Sequence, residues 1–218
     1  MGTFTYAPSQ LSSLERSISP ERIGTYLRSC GGDLHAAILM YEKNIDLSEA
    51  FYGVLQTLEI TLRNSMHREL TSHYGAANWF DSIEFLRSEQ AALERAKKSL
   101  SRNGKPVTPG RVIAELPFGF WAGLTSRPYS HTIWIPSLHR AFPCKRLGHR
   151  DANRRLEEIR KIRNRVAHHE PIIQPTLGNI YRKTLETLEW ICPDTALWMR
   201  ATTRFETVYC AHMGRSPC

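Results

Sequence analysis

Nothing in this sequence approaches the roughly 18 uninterrupted apolar residues of a membrane-crossing helix. Its opening residues also lack the apolar run of a signal peptide. Cysteine is sparse and scattered. Cys30, Cys144, Cys192, Cys210 and Cys218 are odd in number and never spaced as CxxC, which argues against a disulfide framework and against a zinc site. The expectation is a soluble cytoplasmic protein with reduced thiols and no membrane partner. Alternating strand patterns are nearly missing, as are internal repeats and low-complexity tracts. No motif calls for a cofactor, and none is expected.

What the chain has in surplus is positive charge. Lysine and arginine number 29 against 21 acidic residues, a formal net charge of +8 over 218 residues. Such a balance favours a polyanionic partner, whether RNA, DNA or acidic lipid, without choosing among them, and it also serves plain solubility. A hydrophobic content of 41% is enough for a substantial core in one domain.

Helical periodicity dominates. "SPERIGTYLRSCGG" opens with a serine cap and a proline at the first helical position and closes on Gly31-Gly32. Asp33 then caps "LHAAILMYEKN", and the two segments read as a short helical hairpin. In "SEAFYGVLQTLEITLRNSMHRELTSHYG", Phe51, Leu55, Leu58, Leu62, Met66 and Leu70 recur at steps of three and four, one face of a long helix. Glu59 and Arg63 lie four apart in the favourable order for an ion pair, with Asn64 and His67 beside them. That polar strip is either a solvated face or support for a neighbouring site.

A further helix is expected from Asp81 to about Ser101, ended by "NGKPVTPG", and a short one after Thr108-Pro109. "ELPFGFWAGL" reads as an aromatic packing elbow. Residues 126–150, with three prolines and no clean period, read mostly as loop. Tyr129, Trp134 and the bases Lys145, Arg146, His149 and Arg150 could meet nucleic acid there, and the aromatics could equally be core anchors. After Pro171, "TLGNIYRKTLETLEWI" and "PDTALWMRATTRFETVYCAH" give two more helices. The fold class expected is an all-α bundle.

The densest chemistry lies in "RRLEEIRKIRNRVAHHEPII", residues 154–173. Five arginines, a lysine, two adjacent histidines and three glutamates surround the stripe Leu156, Ile159, Ile162 and Val166. The helix is expected from about Asp151 to His169, with Pro171 forcing Glu170 out of it. Cations in a last helical turn stabilise it by roughly 0.3–1 kcal/mol each, so part of the pattern is ordinary helix design. Two adjacent histidines do not match the i, i+4 spacing of a zinc site. A histidine that exchanges its proton near neutral pH, next to an arginine, suits phosphodiester cleavage. The imidazole moves the proton while the guanidinium holds the phosphate and its developing charge. Arg163 and His168 are five residues apart, about 140° around the helix, so a single copy does not stack them.

"RNRVAHHEPI" resembles the motif of the abortive-infection (Abi-like) branch of the HEPN superfamily: Arg, a polar residue, three variable residues, then His. Here these are Arg163, Asn164, Arg165-Val166-Ala167 and His168. "LEITLRN" at 58–64 and "ELPFGFWAGL" at 115–124 resemble the same branch, in the same order. The resemblance implies an all-α HEPN-like bundle as one domain, with a family-matching core at 48–175, an N-terminal helical extension at 1–47 and C-terminal helices at 176–218. It implies a metal-independent endoribonuclease acting as a homodimer, a toxin or phage-defence effector with RNA as substrate, and an antitoxin or regulatory protein as a candidate partner. Carried over by position, Arg163 holds the phosphate, His168 is the acid/base and Asn164 orients groups. Arg160, Arg165, His169, Lys145, Arg146 and Arg150 are candidate RNA contacts, and Glu59, Arg63 and Asn64 are candidate supports. The tyrosine that some HEPN proteins carry two residues after the histidine is replaced by Glu170. A non-catalytic RNA-binding or antitoxin module, and a structural interaction protein, remain as alternatives.

Overall fold

A computed structural model describes residues 5–214, and among these there are ten α-helices and no strand. The helices are α1 (Pro8–Ile18), α2 (Pro20–Ser29), α3 (Leu34–Tyr74), α4 (Arg87–Arg102), α5 (Pro109–Glu115), α6 (Phe118–Gly123), α7 (His149–Ala167), α8 (Leu177–Ile191), α9 (Pro193–Thr202) and α10 (Phe205–Met213). The all-α expectation holds. No helix among the described residues is long and apolar enough to cross a membrane. Cys30, Cys144, Cys192 and Cys210 are free thiols, and Cys218 lies outside the described residues.

α3 is the spine. The Asp33 carboxylate caps it by accepting the Ala36 N–H at 3.1 Å, and Gly75 ends it at φ 69°, a left-handed position that costs glycine least. The expected hairpin helix and long helix are in fact one 41-residue helix. Asn44 does not stop it, because the Asn44 side chain turns inward to bond a distant segment instead of capping its own backbone.

Along α3, Leu47, Phe51, Val54, Leu58, Leu62, Met66 and Leu70 are completely or almost completely buried, and they pack on α6, α7, α8 and α10. Tyr181 of α8 and Phe205 of α10 stack with centroids 4.3 Å apart, and Phe51 meets Phe205 at 4.9 Å. A smaller apolar cluster of Ile23, Tyr26, Ala37 and Ile38 fastens α2 to the first turns of α3.

Three expected boundaries move, each for a local reason. The helix expected from Asp81 starts at Arg87. Trp79 is fully buried in a 3-10 turn, its indole N–H donating to His67 Nδ1 at 2.8 Å, and the Leu86 N–H is taken by the Tyr129 hydroxyl at 2.7 Å. The last expected helix divides into α9 and α10 at Thr203, whose hydroxyl accepts the Phe205 N–H at 3.2 Å as the chain turns Phe205 into the core. Residues 127–141, expected as loop, form two 3-10 turns around a short π-helical turn. Tyr129 and Trp134 are buried there at 3% and 4% exposure, so they are core anchors rather than nucleic-acid contacts.

Candidate functional site

α7 carries the basic motif. Leu156, Ile159, Ile162 and Val166 bury one stripe of it against the core, leaving the flanks for its charges. The flank toward α8 is structural. Arg155 bonds Glu186 at 3.0 Å and lies over the Trp190 ring at 4.4 Å, while Lys183 of α8 bonds Glu158. Arg160 donates twice to Glu157, at 2.9 and 2.7 Å, and this partnership raises the pKa of its guanidinium above its ordinary value.

Toward α3 the central contact is one carboxylate. Glu59 accepts Arg163 Nε at 3.1 Å on one oxygen and Arg163 Nη2 at 3.3 Å on the other, and the same carboxylate takes the Phe118 N–H at 3.0 Å. Phe118 opens α6, so this bond also satisfies one of the free amides at a helix start. Arg163 and Glu59 are partly shielded, with side chains 30% and 21% exposed. The grip leaves the guanidinium's remaining N–H groups free of Glu59. Arg63 does not form the i, i+4 pair with Glu59 that its spacing suggested. Its Nε instead donates to Asn64 at 3.2 Å, and Asn64 is exposed.

The helix end has a specific geometry. The helical hydrogen-bond pattern stops at Ala167, two residues earlier than expected, and His168 is the exposed C-cap. His169 comes next at φ 57°, a left-handed conformation usual for glycine. The His169 N–H bonds the Val166 carbonyl at 3.2 Å and the Glu170 N–H bonds the Arg165 carbonyl at 2.8 Å, the paired bonds of a Schellman cap.

Two side chains from the N-terminal part of the chain hold residues 169–172 in place. Arg22 of α2 donates to the His169 carbonyl. Asn44, 3% exposed, accepts the Ile172 N–H at 2.7 Å and donates to the Glu170 carbonyl at 3.5 Å. Neither Asn44 nor Arg22 was found from the sequence. Asn44 carries a weak signal, a lone amide on the helical face that carries Ala37, Met40, Leu47 and Phe51. Arg22 carries none.

An open cleft of about 570 Å³ runs between α3 and α7, with Arg163, Val166 and His169 on one wall and Tyr41, Tyr52, Gln56 and Glu59 on the other. His168 does not line it. Asn164 faces the opposite flank, with Arg160, Arg165 and Glu170, in a second cleft toward α8. Arg165 is exposed but engaged, its Nη1 donating to the Pro171 carbonyl at 3.4 Å and its Nε lying 3.9 Å from Glu170.

One protomer therefore brings Arg163, Glu59 and His169 together, and places Asn164 and His168 elsewhere. Lys145, Arg146 and Arg150 are exposed, but Arg150 stands in the first turn of α7, about 27 Å along the helix axis from His168, and Lys145 and Arg146 precede that helix. No group of three or more His, Cys, Asp or Glu among the described residues is placed to hold a metal ion. Comparison of the chain with protein-family models, curated proteins and solved structures gives no match.

Proposed function

We propose that this protein is a metal-independent endoribonuclease of the HEPN kind, acting as a homodimer in a toxin or phage-defence role. The observation that supports the reading is the Glu59 carboxylate. It joins Arg163 of "RNRVAHHEPI", the Phe118 N–H of "ELPFGFWAGL" and its own stretch "LEITLRN". The three segments that resemble one family are far apart in the chain and meet at one hydrogen-bonded group.

In the proposed reaction His168 removes the proton from an RNA 2′-hydroxyl, and the 2′-oxygen attacks the adjacent phosphorus. The bond to the 5′-oxygen breaks, the departing oxygen takes up a proton, and a 2′,3′-cyclic phosphate remains. Arg163, oriented by Glu59, contributes its outward N–H groups to the phosphoryl oxygens, where charge builds in the transition state. Attack by the 2′-hydroxyl requires no metal-bound water. Arg165 and the exposed lysine and arginine residues supply long-range attraction to the RNA backbone.

Arg163 and His168 share no cleft within one chain, and α7 turns about 140° between them. A two-fold axis beside the helix ends would bring Arg163 of one protomer to His168 of its partner. The test is a heterodimer of one Arg163→Ala chain and one His168→Ala chain, purified through two tags. Each mutant homodimer should be inactive, while the heterodimer keeps one intact site and recovers up to about half of wild-type activity. A folded heterodimer without activity would overturn the shared site.

A further inference from the structure

We infer that the α3 wall of the α3–α7 cleft is a nucleobase subsite, with Tyr52 as the stacking platform for an unpaired base of single-stranded RNA. The inference rests on the nuclease reading for its choice of polymer, but it draws on a different part of the molecule. Tyr52 is 56% exposed, although its ring lies in a concave wall and has no aromatic neighbour among the described residues. An exposed tyrosine in a cleft of about 570 Å³ presents a flat face to a volume that suits one nucleotide.

Helical register sets the rest. Tyr52, Gln56 and Glu59 are at i, i+4 and i+7, so they fall on one face of α3. Glu59 fixes Arg163 at one end of that row, about 10 Å along the axis from Tyr52. An extended strand covers such a span with a base and a neighbouring phosphate. Gln56, exposed between them, carries an amide that can both donate to and accept from a base edge. The acids in the cleft do not repel the strand at full charge, because Glu59 is paired with Arg163 and Glu49 with Arg204.

Stacking selects for an unpaired base, since a base inside a duplex has no free face to offer. It is also tolerant of base identity, because every base has such a face. The cleft therefore recognises single-stranded RNA by one stacked base and one clamped phosphate.

The experiment measures equilibrium binding of a fluorescent single-stranded RNA oligonucleotide, 2′-O-methylated throughout so that it cannot be cut. Salt titrations are run for the wild type, Tyr52→Ala, Tyr52→Phe and Arg163→Ala. Tyr52→Ala should weaken binding by about 5- to 150-fold with an unchanged salt slope, because it removes a stacking face and no phosphate contact. Tyr52→Phe should bind as the wild type does. Arg163→Ala should flatten the slope of log affinity against log salt by about 0.7.

The proposal is overturned if the wild type does not bind, if Tyr52→Ala binds like the wild type, or if Tyr52→Phe loses as much as Tyr52→Ala. It is equally overturned if sedimentation shows that Tyr52→Ala loses affinity only by changing the oligomeric state, which would make this wall a protein interface. Since no cutting is measured, a protein that binds in this way but never cleaves RNA would refute the nuclease reading alone. A protein that cleaves RNA while Tyr52→Ala binds unchanged would refute the base subsite alone.

Discussion

Replacing Glu59 by alanine should damage the fold and the motif together. The carboxylate accepts three hydrogen bonds, two from Arg163 and one from Phe118. A hydrogen bond to a charged group is worth about 1.5–3 kcal/mol net where it is well shielded, and much less where water competes. With the two side chains 30% and 21% exposed, solvent screening leaves about 1 kcal/mol for the pair. Leaving the Phe118 N–H without its acceptor adds about 1 kcal/mol.

The expected loss is therefore about 2 kcal/mol, or roughly 4–8 °C in Tm for a chain of this length. Glu59→Gln keeps an acceptor for Phe118 and should lose about half as much. The assay is urea denaturation of the wild type, Glu59→Ala, Arg163→Ala and the double variant. The cycle should return a coupling of about 1 kcal/mol between the two positions. A coupling within about 0.3 kcal/mol of zero would refute the pairing, and with it the idea that Glu59 orients Arg163.

His169→Gly should raise stability by about 1 kcal/mol in the same denaturation assay, because it relieves a left-handed backbone that histidine tolerates poorly. Asn44→Ala should cost about 1–3 kcal/mol by orphaning the Ile172 N–H, and amide exchange at Ile172 should accelerate relative to that of α8. Burial, assisted by the nearby Arg63 charge, holds the pKa of His67 below its ordinary value, and Trp79 donates to its Nδ1. Protons therefore bind more readily to the unfolded chain. Stability from this group is complete above about pH 6.5 and declines as pH falls toward the folded-state value. In His67→Gln, urea midpoints between pH 7.5 and 5 should lose that part of the decline.

The apolar stripes of α3 and α7 were readable because burial follows the 3.6-residue period, and Leu58, Leu62, Leu156 and Ile159 all lie in the core as their spacing implies. Long-range hydrogen bonds were not readable. Asn44 reaches a backbone amide 128 residues away, and Glu59 chooses Arg163, 104 residues away, over Arg63 one turn along its own helix. An i, i+4 pair on a solvated helix face is worth only about 0.2–0.5 kcal/mol, so a half-buried partner with two aligned N–H groups outcompetes it. The basic character of the motif helix was plain in the sequence. Its division among structural pairs with another helix, such as Arg155–Glu186 and Glu158–Lys183, depends on neighbours that only the fold supplies. Arg150 stands close to the motif in sequence, but α7 holds it at the far end of the helix from His168.

The most direct test of the proposed function is digestion of end-labelled single-stranded RNA by purified protein in excess chelator, with wild type and His168→Ala side by side and product ends read by mass spectrometry. His168 is exposed and its side chain makes no hydrogen bond among the described residues, so the variant should keep its stability to within about 0.5 kcal/mol. Wild-type protein should cleave the RNA and leave 2′,3′-cyclic phosphate ends, and His168→Ala should not cleave it. Wild-type protein that leaves the RNA intact, or a His168→Ala variant that cuts as fast as the wild type, would contradict the proposed function.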